Sequence, residues 1–278
     1  MTPKPNNIPV HPIHFVPSIK TYVTNPDVLP IKGMSYISDF LTVDEQKEIW
    51  DTVYSNPFST VIHRRQQFYG ETYYHTTPNI SSLQPLDNQT QLDSQNDNVA
   101  DLKVENGDMK RCWTGKEAPK ALPLKLFDSL IEKLINAGFF TKEDPPTQIL
   151  VNEYSGPMGI SNHYDDDKAF GDTIATISLG KPIWLNLQLP ERQNNVCKSI
   201  LKQTKVFLEP GSLFVMQTDA RYVWRHGISN AKWIRYPDNT PVRRDDDYVR
   251  VSLTIRKLLD GRKRVTKTTT DWLEIPDV

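Results

Sequence analysis

Residues 250–256 read Arg250-Val251-Ser252-Leu253-Thr254-Ile255-Arg256, and this stretch decides the fold. Val251, Leu253 and Ile255 alternate with polar residues at a period of two. A strand sends successive side chains to opposite faces, so one face is apolar and the other carries two arginines and two hydroxyls. The apolar face belongs against a core. Two inward arginines are costly to bury unless anions meet them. The bland alternative is an exposed strand whose arginines face water.

The surroundings extend the β pattern. After Pro146, short strands are expected at 148–154, 173–179, 183–189, 205–208, 212–216, 222–226 and 248–257, mostly separated by turns with Gly or Pro. Many short strands at this spacing indicate a sandwich or barrel. Upstream, 34–41 reads as a short strand. Thr42-Val43-Asp44-Glu45 has the form of a capping box, and Trp50, Val53 and Tyr54 share one face of the helix that follows. A second helix is expected over 123–137. Pro123 suits its start, Gly138 its end, and Leu126, Phe127, Leu130, Ile131 and Leu134 form its apolar stripe. Residues 61–74, rich in basic and aromatic side chains, could form a hairpin around Gly70. Two helices followed by seven strands predict a mainly β fold with flanking helices, a double-stranded β-helix or jelly roll.

The 278 residues are enough for one large domain. Residues 1–31 are rich in proline and read as an extended N-terminal arm, neither a secretory signal nor a core. The domain is expected over 32–260 and a tail over 261–278. Within the domain, 76–108 is dominated by Asn, Gln, Ser and Asp. Such a segment buries too little apolar surface to offset its ordering, so a loop or disordered insertion is expected. The net charge of −1 argues against a protein that holds nucleic acid by charge alone. Two cysteines, Cys112 and Cys197, exclude a disulfide framework and a four-cysteine zinc site. No run reaches the length of a membrane span, so no membrane partner is expected, and the default location is cytoplasm, nucleus or both.

His163 and Asp165 stand two apart, so in an extended segment they point to the same side and can share a metal ion. The triplet alone is weak evidence, because chance supplies it readily in an aspartate-rich chain. With His226 downstream it becomes more specific. Two histidines and one carboxylate can hold iron(II) on one face and leave the opposite face open. His11, His14, His63 and His75 have no metal-like partners in the sequence and read as ordinary residues.

Taken in order, Asn152-Glu153-Tyr154, His163-Tyr164-Asp165, Thr176-Ile177-Ser178-Leu179-Gly180, His226-Gly227-Ile228 and Arg250-x-Ser252-x-Thr254-x-Arg256 resemble the AlkB family of 2-oxoglutarate- and iron(II)-dependent dioxygenases. The match covers about 148–257. Upstream, Ile62-His63-Arg64-Arg65, Tyr69-Gly70, Tyr73-Tyr74 and Arg221-Tyr222-Val223-Trp224 look most like the oxygenase domain of the family member that hydroxylates a modified wobble uridine in tRNA. The family usually has Asn where Ser252 stands, which shortens one polar contact near the cosubstrate.

The resemblance implies roles. His163, Asp165 and His226 would be the catalytic metal ligands for Fe(II), with 2-oxoglutarate and dioxygen as cosubstrates. Arg250 would pair with the distal carboxylate of 2-oxoglutarate, since a guanidinium can meet a carboxylate with two parallel hydrogen bonds. Asn152, Tyr154 and Ser252 would line the same pocket, and Arg256 would neutralise Asp165 or the chelating carboxylate. The implied reaction is hydroxylation or oxidative demethylation of a base in nucleic acid, RNA before DNA. The alternative is a protein side-chain hydroxylase or demethylase. Arg64 and Arg65 are expected to contact phosphates, and Tyr69, Tyr73 and Tyr74 to stack on bases, in the region that forms the family's substrate lid. Asp167 aligns with a position that can contact a target base. Arg262, Lys263, Arg264 and Lys267 form a basic tail that could track a backbone. A monomer is expected.

Overall fold

The structure, a computed structural model, describes residues 31–59, 64–72, 102–105, 108–111, 121–193 and 196–259. Strand β1 (Met34–Ile37) and helix α1 (Val43–Tyr54) come first, followed by β2 (Gln66–Gly70), β3 (Leu102–Glu105) and β4 (Asp108–Arg111). A 3-10 turn (Leu124–Phe127) leads into α2 (Asp128–Asn136). The β-rich half comprises β5 (Gln148–Ser155), β6 (Ile160–His163), β7 (Phe170–Gly180), β8 (Ile183–Gln193), β9 (Val196–Leu208) and β10 (Leu213–Met216). Then come α3 (Thr218–Tyr222), β11 (Arg225–Ile228), β12 (Trp233–Arg235), β13 (Pro241–Arg243) and β14 (Val249–Leu258).

The period-two pattern of β14 decides where everything else sits. β14 lies between β7 and β5 in a six-stranded antiparallel sheet of order β1-β10-β7-β14-β5-β2. Val251, Leu253 and Ile255 are fully buried on its outer face. They cluster there with Ile49 and Val53 of α1 and with Phe127, Leu130 and Leu134 around α2. Each such side chain contributes about 1.5–3 kcal/mol relative to exposure. The inner face, through Tyr154, Phe170, Ile174, Phe214 and Met216, meets Ile183, Leu185, Leu187, Val206 and Leu208 of a second sheet. That sheet has the order β6-β11-β8-β9. Two facing antiparallel sheets with both long helices outside the larger one make the expected jelly roll.

Local chemistry explains the helix start. The amide of Glu45 donates to Thr42 Oγ1 at 3.2 Å, and the amide of Thr42 donates to Glu45 Oε2 at 2.7 Å. This is the reciprocal capping box that the sequence predicts.

Several elements differ from expectation. β1 stops at Ile37, short of residue 41. The second helix is split. Its first turn is 3-10, which turns Leu126 out to 44% exposure instead of into the stripe. Gly70 turns no hairpin: it closes β2 with φ +79, and β2 pairs with the distant β5. A Cβ there would stand 2.3 Å from Thr147 O, so the close approach requires glycine. The strand expected over 222–226 begins later: Tyr222 ends a short helix, α3, and β11 starts at Arg225, so only Arg225 and His226 of that span are strand. Strands β6, β12 and β13 lie in polar stretches that carry little periodic signal. Inside the polar segment 76–108, the described part is strand and not loop. β3 pairs with β4, with Glu105 opposite Asp108. The two residues between them are Asn106-Gly107, a hairpin signal in the sequence. The N-terminal arm, the remainder of the insertion and the basic tail lie outside the described residues.

Candidate active site

The floor of the site is the inner face of the larger sheet, and strand register arranges it in rows. Arg250 stands between Tyr154 and Gly180, and Ser252 between Asn152 and Ser178. Thr254 stands between Leu150 and Thr176, and Arg256 between Gln148 and Ile174. Residues in register share a face, so polar groups on three strands gather on one surface.

Arg250 and Arg256 differ sharply in their partners. The Arg256 guanidinium reaches Asp165 Oδ1 at 3.1 Å and Gln148 Oε1 at 2.9 Å, and lies 3.6 Å from the Phe170 ring centroid. Arg250 is 3% exposed, yet it meets Ser178 Oγ at 2.9 Å and the face of Tyr154 at 5.3 Å. Its Nε is buried without a hydrogen-bond partner. No carboxylate forms an ion pair with it among the described residues. Burial pulls its pKa down to about 10, which leaves it charged at neutral pH. A buried, unmatched guanidinium beside hydroxyl and amide groups suits an anionic ligand.

The smaller sheet supplies the other wall. His226 on β11 is the register partner of His163 on β6, and their ring centroids are 4.4 Å apart. This pairing across strands joins two histidines that are far apart in sequence. Asp165, just past β6, places Oδ2 3.6 Å from His226 Nε2. That Oδ2 is buried and has no hydrogen bond. His163 Nδ1 lies 2.8 Å from Ser161 O. A carbonyl only accepts, so Nδ1 carries a proton, and in the neutral ring Nε2 is the nitrogen with a free lone pair. Burial is the largest influence on His226 and holds its pKa down at about 4, so the ring is neutral and able to ligate. Burial alone would raise the pKa of Asp165. His226, Arg256, His163 and Arg221 outweigh it and keep the carboxyl below its usual range.

These donors fit iron(II): two imidazoles and one carboxylate, one of whose oxygens is buried and unsatisfied. No group of three such side chains is closed round a common point among the described residues. The fit therefore rests on donor chemistry and on the orphaned oxygen of Asp165.

The remaining expected site residues divide. Asn152 faces inward, and its Oδ1 accepts from Arg64 Nε at 2.9 Å and Gln66 Nε2 at 2.8 Å. Arg64 also lies over Tyr154, 5.2 Å from its centroid, on the ring that Arg250 also approaches. Arg65 points the other way. Its Nε and Nη2 grip both oxygens of Glu153 at 2.7 and 2.5 Å, and Tyr54 donates to the same carboxylate. This fork ties Arg65 to β5. Tyr69 is fully buried, edge-on to Phe127 at 4.7 Å, with its hydroxyl on Gln67. It is a core residue and cannot stack on a base. Asp167 is exposed in the loop after Asp165. Tyr73 and Tyr74 lie outside the described residues.

Three further residues emerge from the structure. Ser178 receives Arg250, Gln148 receives Arg256, and the buried Arg221 holds the backbone next to Asp165. The alternation of β7 and β5 could have revealed the first two. Nothing local marks Arg221.

A jelly roll with paired His-Asp-His donors and a buried cation is the architecture of an oxygenase that binds a metal and a 2-oxo acid. The 2OG-Fe(II) oxygenase superfamily matches residues 33–256, and the chain belongs to it. It is an oxidoreductase that uses iron(II), 2-oxoglutarate and dioxygen. Among its relatives, "Uncharacterized protein L905" of Acanthamoeba polyphaga mimivirus is 24% identical over 82% of this chain and 86% of the relative. The "tRNA (carboxymethyluridine(34)-5-O)-methyltransferase ALKBH8" of Macaca fascicularis is 25% identical over 80% of this chain, which spans 28% of that protein. The "Alkylated DNA repair protein ALKBH8 homolog" of Arabidopsis thaliana is 25% identical, over 83% of this chain and 59% of the homologue. The names of the ALKBH8 relatives support the AlkB resemblance. Among solved structures, OsALKBH1 is similar with a TM-score of 0.46 at 18% identity, covering 81% of this chain and 96% of that one. Among the described residues, no helix is long and apolar enough to cross a membrane.

Proposed function

We propose that this oxygenase acts on a modified or alkylated base in nucleic acid, RNA in preference to DNA, in the cytoplasm, the nucleus or both. His163, Asp165 and His226 hold the iron. Arg250 takes the distal carboxylate of 2-oxoglutarate, with Ser252, Asn152 and Tyr154 lining the same pocket. Bound iron(II) supplies the chemistry that couples conversion of 2-oxoglutarate to succinate and carbon dioxide with oxidation of a substrate C–H bond.

The single observation that carries the site is Arg250, a buried guanidinium facing the interior without a carboxylate partner among the described residues. Its fork fits a carboxylate in two parallel hydrogen bonds. Arg256 already neutralises Asp165, so it keeps the carboxylate ionised and aimed while the cosubstrate enters. The apolar layer from Phe170, Ile174 and Leu187 excludes water and strengthens both contacts. The preference for RNA rests on the ALKBH8 relatives named for tRNA, whose matching portion is the part this chain covers.

The test supplies purified protein with iron(II), 2-oxoglutarate and RNA, DNA or peptide pools, and measures succinate together with modified nucleosides and peptides by mass spectrometry. Oxidised ribonucleosides with stoichiometric succinate are expected. Oxidised peptides without changed nucleosides would transfer the assignment to a protein side-chain hydroxylase.

A further inference from the structure

We infer that Arg221 and Arg225 form a backbone clamp that fixes the His163–Asp165 loop in its metal-binding shape, with Arg221 as the main positioning residue. The inference rests on the metal site proposed above.

Arg221 is among the largest fully buried side chains of the protein. A buried guanidinium normally meets a carboxylate. Here no ion pair reaches it among the described residues, and its fork closes instead on backbone. Nη1 donates to Asp165 O at 2.9 Å and Nη2 to Asp166 O at 3.0 Å. Four residues on, Arg225 donates through Nε at 3.0 Å, and through Nη2, to Asn162 O. The two arginines therefore hold the chain on both sides of His163-Tyr164-Asp165. Between them, the Tyr164 hydroxyl donates to Val223 O at 3.3 Å. The loop shapes its own turn beyond: Asp166 Oδ1 accepts from the amides of Lys168 and Ala169 at 2.9 and 3.1 Å.

All three anchors come from the α3–β11 segment, which also carries His226. One short segment thus presents one histidine directly and sets the backbone that presents the other histidine and the carboxylate. The carbonyl oxygen of Asp165 is two bonds from the Cα that bears its side chain, so gripping that oxygen restricts where the carboxylate points. A lysine would keep the positive charge but has no planar fork to span two successive carbonyls.

Arg244 provides a matched control. It is also buried and also binds backbone carbonyls: Ser229 O at 2.7 Å, Ala231 O at 3.3 Å and Met158 O. These carbonyls lie outside the His163–Asp165 loop. Removing either fork sacrifices comparable buried hydrogen bonds, so loss of stability alone cannot separate the two variants.

The experiment compares full-length wild type with Arg221→Lys, Arg244→Lys and the milder Arg225→Lys, all stripped of metal. Manganese(II) affinity is measured by electron paramagnetic resonance, cobalt(II) coordination by its visible spectrum, and amide hydrogen exchange over 163–166 in the metal-free protein. Arg221→Lys should bind manganese about 10- to 100-fold more weakly, the range for losing a group that orients a ligand. It should also alter the cobalt spectrum and speed exchange in the loop. Arg225→Lys should move the same readouts less, and Arg244→Lys should match wild type in all three. Equal losses in Arg221→Lys and Arg244→Lys, or a loop in Arg221→Lys that exchanges as in wild type, overturn the clamp. Failure of wild type to bind either metal overturns the proposed metal site instead, and the exchange measurement still decides the clamp.

Discussion

The two ends of β14 carry the same side chain in opposite circumstances. Arg256 meets Asp165, Gln148 and the Phe170 ring. Arg250 meets one hydroxyl and one ring face, and keeps an unsatisfied Nε. One strand thus holds a cation matched from within the chain and another with no carboxylate partner among the described residues. The adjacent pair Arg64 and Arg65 repeats the contrast across the thickness of the sheet. Arg64 reaches inward to Asn152, and Arg65 reaches outward to Glu153. The contrast separates charge matched within the scaffold from charge that faces the interior without a carboxylate among the described residues.

The largest expected effect breaks the matched end. Asp165→Ala should reduce succinate release to background and also destabilise the fold by about 3–5 kcal/mol, because Arg256 is left buried without its carboxylate. Thermal unfolding and turnover are measured side by side. His163→Ala should lose the turnover without a stability loss of that size. Turnover surviving in Asp165→Ala would remove Asp165 from the site.

Next comes a direct exchange of the two arginines' fates. Arg250→Met should weaken 2-oxoglutarate binding by about 3 kcal/mol, roughly a hundredfold, while the ligand-free protein becomes no less stable. Arg256→Met should lower the melting temperature of the ligand-free protein. Calorimetric titration and thermal melts read both. If Arg250→Met is destabilised as much as Arg256→Met, Arg250 has an internal partner and the anion lies elsewhere.

Arg64 and Arg65 give a smaller pair of effects. Arg65→Ala should cost about 1–3 kcal/mol by leaving the buried Glu153 short of donors, with 2-oxoglutarate affinity unchanged. Arg64→Ala should raise the KM for 2-oxoglutarate with little change in stability. The opposite assignment of the two effects would reverse their faces.

The smallest effect lies in the helical layer, where solvent reaches both partners. Burial would raise the pKa of Glu45, but hydrogen bonds from Lys133 and Thr42 lower it on balance. A carboxyl depressed in the folded state stabilises above its unfolded pKa, and that stability is lost as pH falls through the folded value. Lys133→Met should therefore cost about 0.5 kcal/mol near neutrality and nothing in strong acid, judged by melts across pH. A constant difference at every pH would show that the Lys133 stem, not its charge, supplies the contact.

Much of the site was legible because its geometry is local. Alternation in 250–256 places both arginines on one face, and two-residue spacing places His163 and Asp165 together. The capping box at Thr42 likewise depends on residues three apart. One departure has a long-range cause. Strand β2 pairs with β5, far along the chain, and that register buries Tyr69. No local pattern encodes the choice, because a shift of one residue exchanges the faces.

By itself, the sequence determined a β-rich domain and singled out His163, Asp165 and His226 as candidate donors and Arg250 as the inward cation. Period-two alternation and short spacings are properties of neighbouring residues. Only the tertiary structure decided which arginine is matched, which tyrosine is core, and that Arg221 closes on the carbonyls of Asp165 and Asp166. Those outcomes depend on which distant backbone a long side chain meets once the sheets have closed.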